Sequence, residues 1–320
     1  MQLQEQIRED RGQRTTVANV PSAPRSPRYV LMTAAYNEAA NIEKTIMAVL
    51  AQTMRPERWV IVSDSSTDAT DSIVQKYAAQ HDFVCFLRVN RAPGHSFRSK
   101  VVALKQAAGL LEGAEYEFIG NLDADITVAP TYFEQLLQRF DKEPSLGIAS
   151  GFVHEETSGE FRSRKSNRTV SVPHAAQLVR RECYEAIGGY SVLEYGGEDW
   201  YAQTCARMNG WQAESIPALP IYHHKPTGTG ANLLGHRYRL GKLDYSFGSH
   251  PLFEMLKCVR HASDSPFLIG GLLRMFGFVS CYLRREPRAV TDEFMAFLRR
   301  EQVGRFFRPF SSVTLASAKH

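Results

Sequence analysis

What most limits the fold of this chain is an alternation. Between Tyr29 and Asp125, four short runs of β character are separated by three segments of helical period. Tyr29-Val-Leu-Met-Thr33 reads as a buried strand, after which Ile42, Ile46, Val49 and Leu50 share one helical face. Trp59 to Val62 is a second strand. The helix after it opens at Thr67 or Asp68, both good N-caps, and buries Ile73, Val74 and Tyr77. Phe83 to Val89 and Lys100 to Leu111 form a third strand and helix, and Tyr116 to Leu122 is a fourth strand that runs straight into Asp123. This order predicts an α/β fold with a mainly parallel sheet and helices on both faces. Ligands on such sheets sit beyond the carboxyl ends of the strands. The residues just past each strand are therefore the ones to inspect for chemistry.

The second half is less regular. Leu146 to Val153 reads as a strand, Glu155 to Arg168 as a polar, basic loop, and Ala175 to Val179 as another strand. A helix from Asp199 to Met208 and a strand from Trp211 to Ile216 follow. Residues 1–28 are polar, carry Pro21, Pro24 and Pro27, and read as a mobile leader with no apolar stretch of secretory type. One α/β domain is expected over 29–225, with halves at 29–125 and 126–225. Residues 226–320 are expected to form a helical, basic region. From Lys225 onward there are 15 Lys and Arg against 7 Asp and Glu. That excess suits either a solvated basic face or an anionic membrane surface, and no nucleic-acid motif accompanies it. Pro266 to Leu283 is apolar except for Arg274 and Ser280, and only just reaches spanning length. A buried core helix, an interfacial membrane helix and a span all remain open for it. Five cysteines, odd in number and never at CxxC spacing, argue against a disulfide framework or a zinc knuckle and fit a cytoplasmic setting.

Past the first strand lies Ala34-Ala35-Tyr36-Asn37-Glu38. Small residues there let a ligand approach the backbone, Tyr36 can stack on a flat ring, and Glu38 can accept from hydroxyls. A plain strand-to-helix turn capped by Asn37 accounts for the same residues. Asp64, at the end of the second strand, should reach the same sheet edge and can accept from a base N–H. Asp123 and Asp125 follow the fourth strand; two Asp at i and i+2 on an extended chain point the same way and form a hard-oxygen site for Mn²⁺ or Mg²⁺. Lys100, with Arg98 beside it, can meet a diphosphate. Gly196-Gly197-Glu198-Asp199 opens a helix whose N-terminus favours an ionised carboxylate, and the glycines let it face a cavity. His223 and His224 face opposite ways on an extended chain, so at most one can join the carboxylates.

Taken in order, Ala-Tyr-Asn-Glu at 35–38, Ser-Asp-Ser-Ser-Thr-Asp at 63–68, Ser-Lys-Val-Val-Ala-Leu at 99–104, Asp-Ala-Asp at 123–125 and Gly-Gly-Tyr to Glu-Asp at 188–199 resemble the family-2 glycosyltransferases of GT-A fold. The resemblance covers about residues 29 to 225 and implies a catalytic domain there, with its nucleotide half at 29–125 and acceptor half at 126–225. It implies an inverting enzyme that moves sugar from a nucleotide-diphosphate donor, a UDP-sugar foremost. It implies that Ala35, Tyr36, Glu38 and Asp64 bind base and ribose, that Lys100 approaches the phosphates, and that Asp123 serves ribose and metal. Asp125 would hold the metal with His223 or His224 as a further ligand. Asp199 would be the base, with Glu198 and Gly197 positioning on the acceptor side. The QxxRW motif of processive synthases is absent, which implies one sugar per acceptor, a saccharide or lipid-linked saccharide in polysaccharide or glycoconjugate assembly. The family's usual Pro before the first motif is Ala34 here, and its frequent Asp-Asp-Gly is Ser63-Asp64-Ser65. A Gly-rich apolar C-terminal region in some relatives favours a peripheral place on the inner face of a membrane. The rival readings are a sugar nucleotidyltransferase, which needs a glycine-rich basic loop that Ala34 to Glu38 does not supply, and a non-catalytic membrane-bound scaffold of the same fold.

Overall fold

A computed structural model describes residues 27–90, 97–157, 159–225, 233–260 and 267–307. The leader expected over 1–28 therefore lies, up to residue 26, outside the described residues. The chain forms β1 (Tyr29–Ala35), α1 (Ile42–Leu50), β2 (Arg58–Asp64), α2 (Thr70–Ala78), β3 (Val84–Val89), α3 (Phe97–Gly109) and β4 (Phe118–Leu122). Next come β5 (Ile126–Val128), α4 (Tyr132–Lys142), β6 (Leu146–Thr157), β7 (Glu160–Ser163), β8 (Ala176–Arg180), α5 (Arg181–Ala186), α6 (Glu198–Met208) and β9 (Gln212–His223). Four helices close the described chain: α7 (Leu233–Ser246), α8 (Pro251–Arg260), α9 (Ile269–Arg284) and α10 (Asp292–Phe307).

All nine strands join one sheet in the order β3-β2-β1-β4-β8-β6-β9-β5, with β7 paired to β6. The strands β3, β2, β1 and β4 are mutually parallel, as their alternation with helices requires. Beyond β4 the sheet is mixed: β8 runs antiparallel to both β4 and β6, β5 antiparallel to β9, and β6 parallel to β9. β1 is apolar apart from Thr33 because both its faces are covered. Tyr29 and Leu31 look toward α1, α2 and α4; Val30 and Met32 look toward α3 and α6. Thr33, wholly buried in this strand, donates to the Leu122 carbonyl at 2.6 Å and accepts from the Trp59 indole at 2.9 Å. Its hydroxyl therefore ties β1 to β4 and β2 without leaving an unmade bond.

Several local expectations shift. The polar stretch 155–168 is not all loop: β6 continues to Thr157 and turns back as β7. Glu155 is held there by Arg164 at 2.6 Å. This hairpin lies mostly outside the core, so its strands carry polar residues and lack an apolar signature. β9 runs on to His223 through two prolines. The second helix begins at Thr70, later than Thr67 or Asp68, and the Asp68 carboxylate accepts from the Thr70 N–H at 3.0 Å and the Thr70 hydroxyl at 2.5 Å.

The C-terminal helices dock on α6. Phe247, Phe294 and Leu298 pack with Trp200 and Tyr201, and Arg207 makes a two-pronged bond to Glu301 at 2.8 and 3.0 Å. α7 and α9 cross at two glycines: a methyl on Gly241 would overlap the Arg274 carbonyl, and one on Gly277 would overlap the Tyr238 carbonyl. Between α7, α8 and α9 lies a buried ionic cluster. Lys257 Nζ is 2.7 Å from Asp244, Arg274 Nε is 2.8 Å from Glu254, and Arg274 also bonds Asp244. Among the described residues no helix is long and apolar enough to cross a membrane.

Candidate active site

A cleft of about 220 Å³ opens at the carboxyl ends of β1, β2 and β4. Its walls are Ala34, Ala35, Tyr36 and Glu38 after β1, Asp64 at the end of β2, and Asp123, Ala124 and Asp125 after β4. Ser99 and Lys100 on α3 and His223 and Lys225 at the end of β9 complete it. Parallel strands deliver their following loops to one edge, which is why residues nearly two hundred positions apart meet here.

The first loop is held by a cross-link. Asn37 takes a left-handed conformation (φ 53°), which asparagine tolerates better than most residues. Its side-chain oxygen accepts from the Thr67 N–H at 2.8 Å, and its own N–H donates to the Ser66 hydroxyl at 3.1 Å. Asn37 thus joins the loops after β1 and β2 instead of capping α1, whose N-cap is Asn41. Tyr36 stands 41% exposed at the mouth, and Asp64 is buried at the base. Glu38 accepts from Lys225 Nζ at 2.9 Å. Burial raises the Glu38 pKa, with Asp125 adding to the rise and Lys225 opposing it.

The two aspartates after β4 do not share partners. Asp123 Oδ1 receives Lys100 Nζ at 2.6 Å and Asn121 Nδ2 at 2.9 Å. Asp125 Oδ2 lies 3.1 Å from His223 Nε2. The expectation of two aligned carboxylates assumed an extended chain, whereas residues 124–125 form a turn, and both carboxylates line the same cleft. Burial pulls the Lys100 pKa down, and Asp123, Glu198 and Asp199 outweigh it, so the ammonium is held above its ordinary value.

His223 and His224 separate as alternation along a strand requires. His223 faces the cleft, with its Nδ1 4.0 Å from Glu155. His224 turns its ring to Thr127, 2.9 Å from Nε2, and packs edge-on to Phe161 of β7. Of the two histidines, His223 and not His224 lines the cleft beside Asp125. A carboxylate oxygen next to an imidazole, with Glu155 behind the imidazole, is a donor set suited to a divalent cation. The described residues nonetheless contain no group of three or more His, Cys, Asp and Glu gathered tightly enough to hold one by themselves. A cation here would need further oxygen ligands from a bound molecule.

At the start of α6, Gly196 and Gly197 both take left-handed backbone (φ 82° and 84°), and a side chain on Gly197 would press on Phe247 and Leu243. This turn places Asp199 in the first turn of the helix, where its Oδ1 accepts from the Trp200 N–H at 2.7 Å. Burial, and next the charge of Glu198, raise the Asp199 pKa, while Lys100 opposes the rise. Gly197, Glu198 and Asp199 do not line the cleft, and neither does Arg98. Asp199 is linked to it through the charge of Lys100.

Ser99, Lys225, Glu155 and His174 were not singled out from the sequence. His174 is buried against the Tyr190 ring with neither ring nitrogen hydrogen-bonded among the described residues. Burial, then Lys100, push its pKa well below the ordinary histidine value. The positions of Ser99 and Lys225, each next to a residue already of interest, were the available signal.

A parallel first half of the sheet, acidic loops at its carboxyl edge and a mixed second half define a glycosyltransferase of GT-A fold. The chain belongs to glycosyl transferase family 2, whose model matches residues 31–194. Poly-beta-1,6-N-acetyl-D-glucosamine synthase of Staphylococcus epidermidis is 31% identical over 122 residues, which is 37% of this chain and 26% of that protein. The match thus spans about a quarter of the curated relative. Among solved structures, the mannosyltransferase PcManGT of Pyrobaculum calidifontis, in complex with GDP-Man and Mn²⁺, superposes with a TM-score of 0.52 at 19% identity, covering 96% of this chain and 88% of that one. GalNAc-T7 with UDP, GalNAc and Mn²⁺ gives 0.56 at 13% identity, covering 88% and 55%. At such identities the likeness concerns the fold.

Proposed function

We propose that this chain is an inverting, metal-dependent glycosyltransferase that moves a single sugar from a nucleotide-diphosphate donor, a UDP-sugar foremost, to a hydroxyl of a saccharide or lipid-linked saccharide. Its setting in this reading is polysaccharide or glycoconjugate assembly, as a peripheral protein at the inner face of a membrane. One observation carries it: Tyr36, Asp64, Lys100, Asp123, Asp125 and His223 meet in one cleft at the carboxyl edge of the sheet. The residues divide the work by chemistry. Ala35 leaves room for a flat base beside Tyr36, while Glu38 and Asp64 accept from base and ribose donors. Asp125 and His223 hold Mn²⁺ or Mg²⁺, which when bound neutralises charge on the departing diphosphate. Lys100 offers a second positive charge to the phosphates and keeps Asp123 oriented.

Asp199 accepts the proton of the acceptor hydroxyl. An alcohol is a poor nucleophile, and a carboxylate whose pKa is raised by burial and by Glu198 is a better proton acceptor than an ordinary aspartate. Glu198 and Gly197 position this turn. Asp199→Asn keeps the shape and removes the basicity, so transfer falls by about 10²–10⁴ while donor affinity holds. The test is transfer rate and donor affinity for Asp199→Asn beside Glu198→Gln. Near-normal transfer by Asp199→Asn, or loss of donor binding instead, removes Asp199 from this role.

A further inference from the structure

The apolar surface of this protein is concentrated in one place. Of eighteen large apolar side chains exposed among the described residues, twelve lie between Leu252 and Leu283. They form two stripes. On α8, Leu252, Met255, Leu256 and Val259 are exposed at helical spacing while Glu254 and Cys258 are buried. On α9, Ile269, Leu272, Phe276, Val279 and Leu283 face out, while Gly270, Gly277, Phe278 and Cys281 face in. The glycine crossing explains the inversion. Close approach of α7 and α9 needs glycine at the crossing points, and apart from Phe278, which packs on Tyr245, the α9 side chains at the seam are small, so most of its large ones are left on the outer side.

Charge selects the occupant. Every exposed residue described between 251 and 285 is either apolar or an arginine: Arg260, Arg284 and Arg285 rim the stripes, and no acid is exposed among them. Pairing this face with its own copy across a two-fold axis would bring apolar stripes together inside like-charged rims. An anionic bilayer accepts both features, taking apolar side chains below its headgroups and arginines among them. Tyr282, 58% exposed near the α9 C-terminus, suits the headgroup level.

We infer that the outer face of α8 and α9 is a docking surface for an anionic lipid bilayer, entered in the plane of the membrane. This deepens the peripheral reading given above and does not depend on the transfer chemistry. The full chain is mixed with phosphatidylcholine vesicles and with vesicles containing phosphatidylglycerol, at low and high salt, and sedimented. Binding is expected only to the anionic vesicles and weakens with salt. Leu272→Glu with Phe276→Glu abolishes it, and Arg284→Gln with Arg285→Gln weakens it on the order of 30-fold. Leu110→Glu, at another exposed apolar site outside α8 and α9, leaves it unchanged. Circular dichroism of each variant establishes that the fold is retained.

Absence of binding by the wild-type chain, or binding indifferent to the α8–α9 substitutions, overturns the inference. So does a concentration-dependent dimer that Leu272→Glu with Phe276→Glu dissolves without any vesicle binding, which would make the face a contact between copies. Nucleotide release from UDP-sugars, followed in the same samples, keeps the two readings apart: lipid binding without turnover counts against the transferase and leaves the docking surface standing.

Discussion

Lys100 is the hinge of the site's electrostatics, and its removal has two consequences that can be measured separately. In Lys100→Met the stem volume stays and the charge goes. The Lys100 and Asp123 side chains are 29% and 26% exposed and meet at 2.6 Å. Breaking a fully buried pair costs about 3–5 kcal/mol, and reducing that by the exposed quarter leaves about 2–4 kcal/mol, roughly a 30- to 900-fold fall in the folded-to-unfolded ratio. The loss comes mainly from an uncompensated Asp123 carboxylate, so adding Asp123→Asn should recover much of it, and a double-mutant cycle in urea reports the coupling. The second consequence concerns Asp199. Lys100 lowers the Asp199 pKa against the rise caused by burial and Glu198. Without Lys100 that pKa climbs further, and the acid limb of kcat/KM moves to higher pH. A Lys100→Met protein of unchanged stability, or one whose acid limb stays in place or moves down, would refute this account of the site.

The other expectations are more local. Asp125→Ala should abolish the Mn²⁺-dependent tightening of nucleotide binding seen by calorimetry, and His223→Ala should weaken it while His224→Ala does not; equal effects of the two histidines would remove His223 as a ligand. Because burial and Glu198 raise the Asp199 pKa, the acid limb of wild-type kcat/KM should lie above the ordinary aspartate value of about 3.9. That limb should be missing from the residual activity of Asp199→Asn. The sign for stability is opposite to the usual acid: the folded chain retains this proton longer than the unfolded one, so Asp199 costs stability as pH rises from the unfolded toward the folded pKa. Gly277→Val should lower the urea midpoint by disrupting the α7–α9 crossing, since its added carbons meet the Tyr238 backbone, whereas Gly304→Ala, which meets nothing nearby, should not.

Much of this was readable before any coordinates, and for a physical reason. A parallel strand covered on both faces must be apolar throughout, and an amphipathic helix must repeat its apolar residues every turn, so β1 to β4 and the helices between them announce themselves locally. The loop after each such strand must then reach one edge, which brought Tyr36, Glu38, Asp64, Asp123 and Asp125 to notice as a set. Local pattern does not say which partner each side chain finds. His223 meets Asp125 across 98 positions and Lys225 meets Glu38 across 187, because β9 threads back beside β5 and β6, and strand order in a mixed sheet leaves no periodic trace. Asp123 and Asp125, two positions apart, find different partners, Lys100 for one and His223 for the other. Likewise the apolar run before Arg284 has the same composition whether buried or exposed. Only the glycine crossing with α7 decides that most of its large side chains face out while Phe278 packs inward on Tyr245.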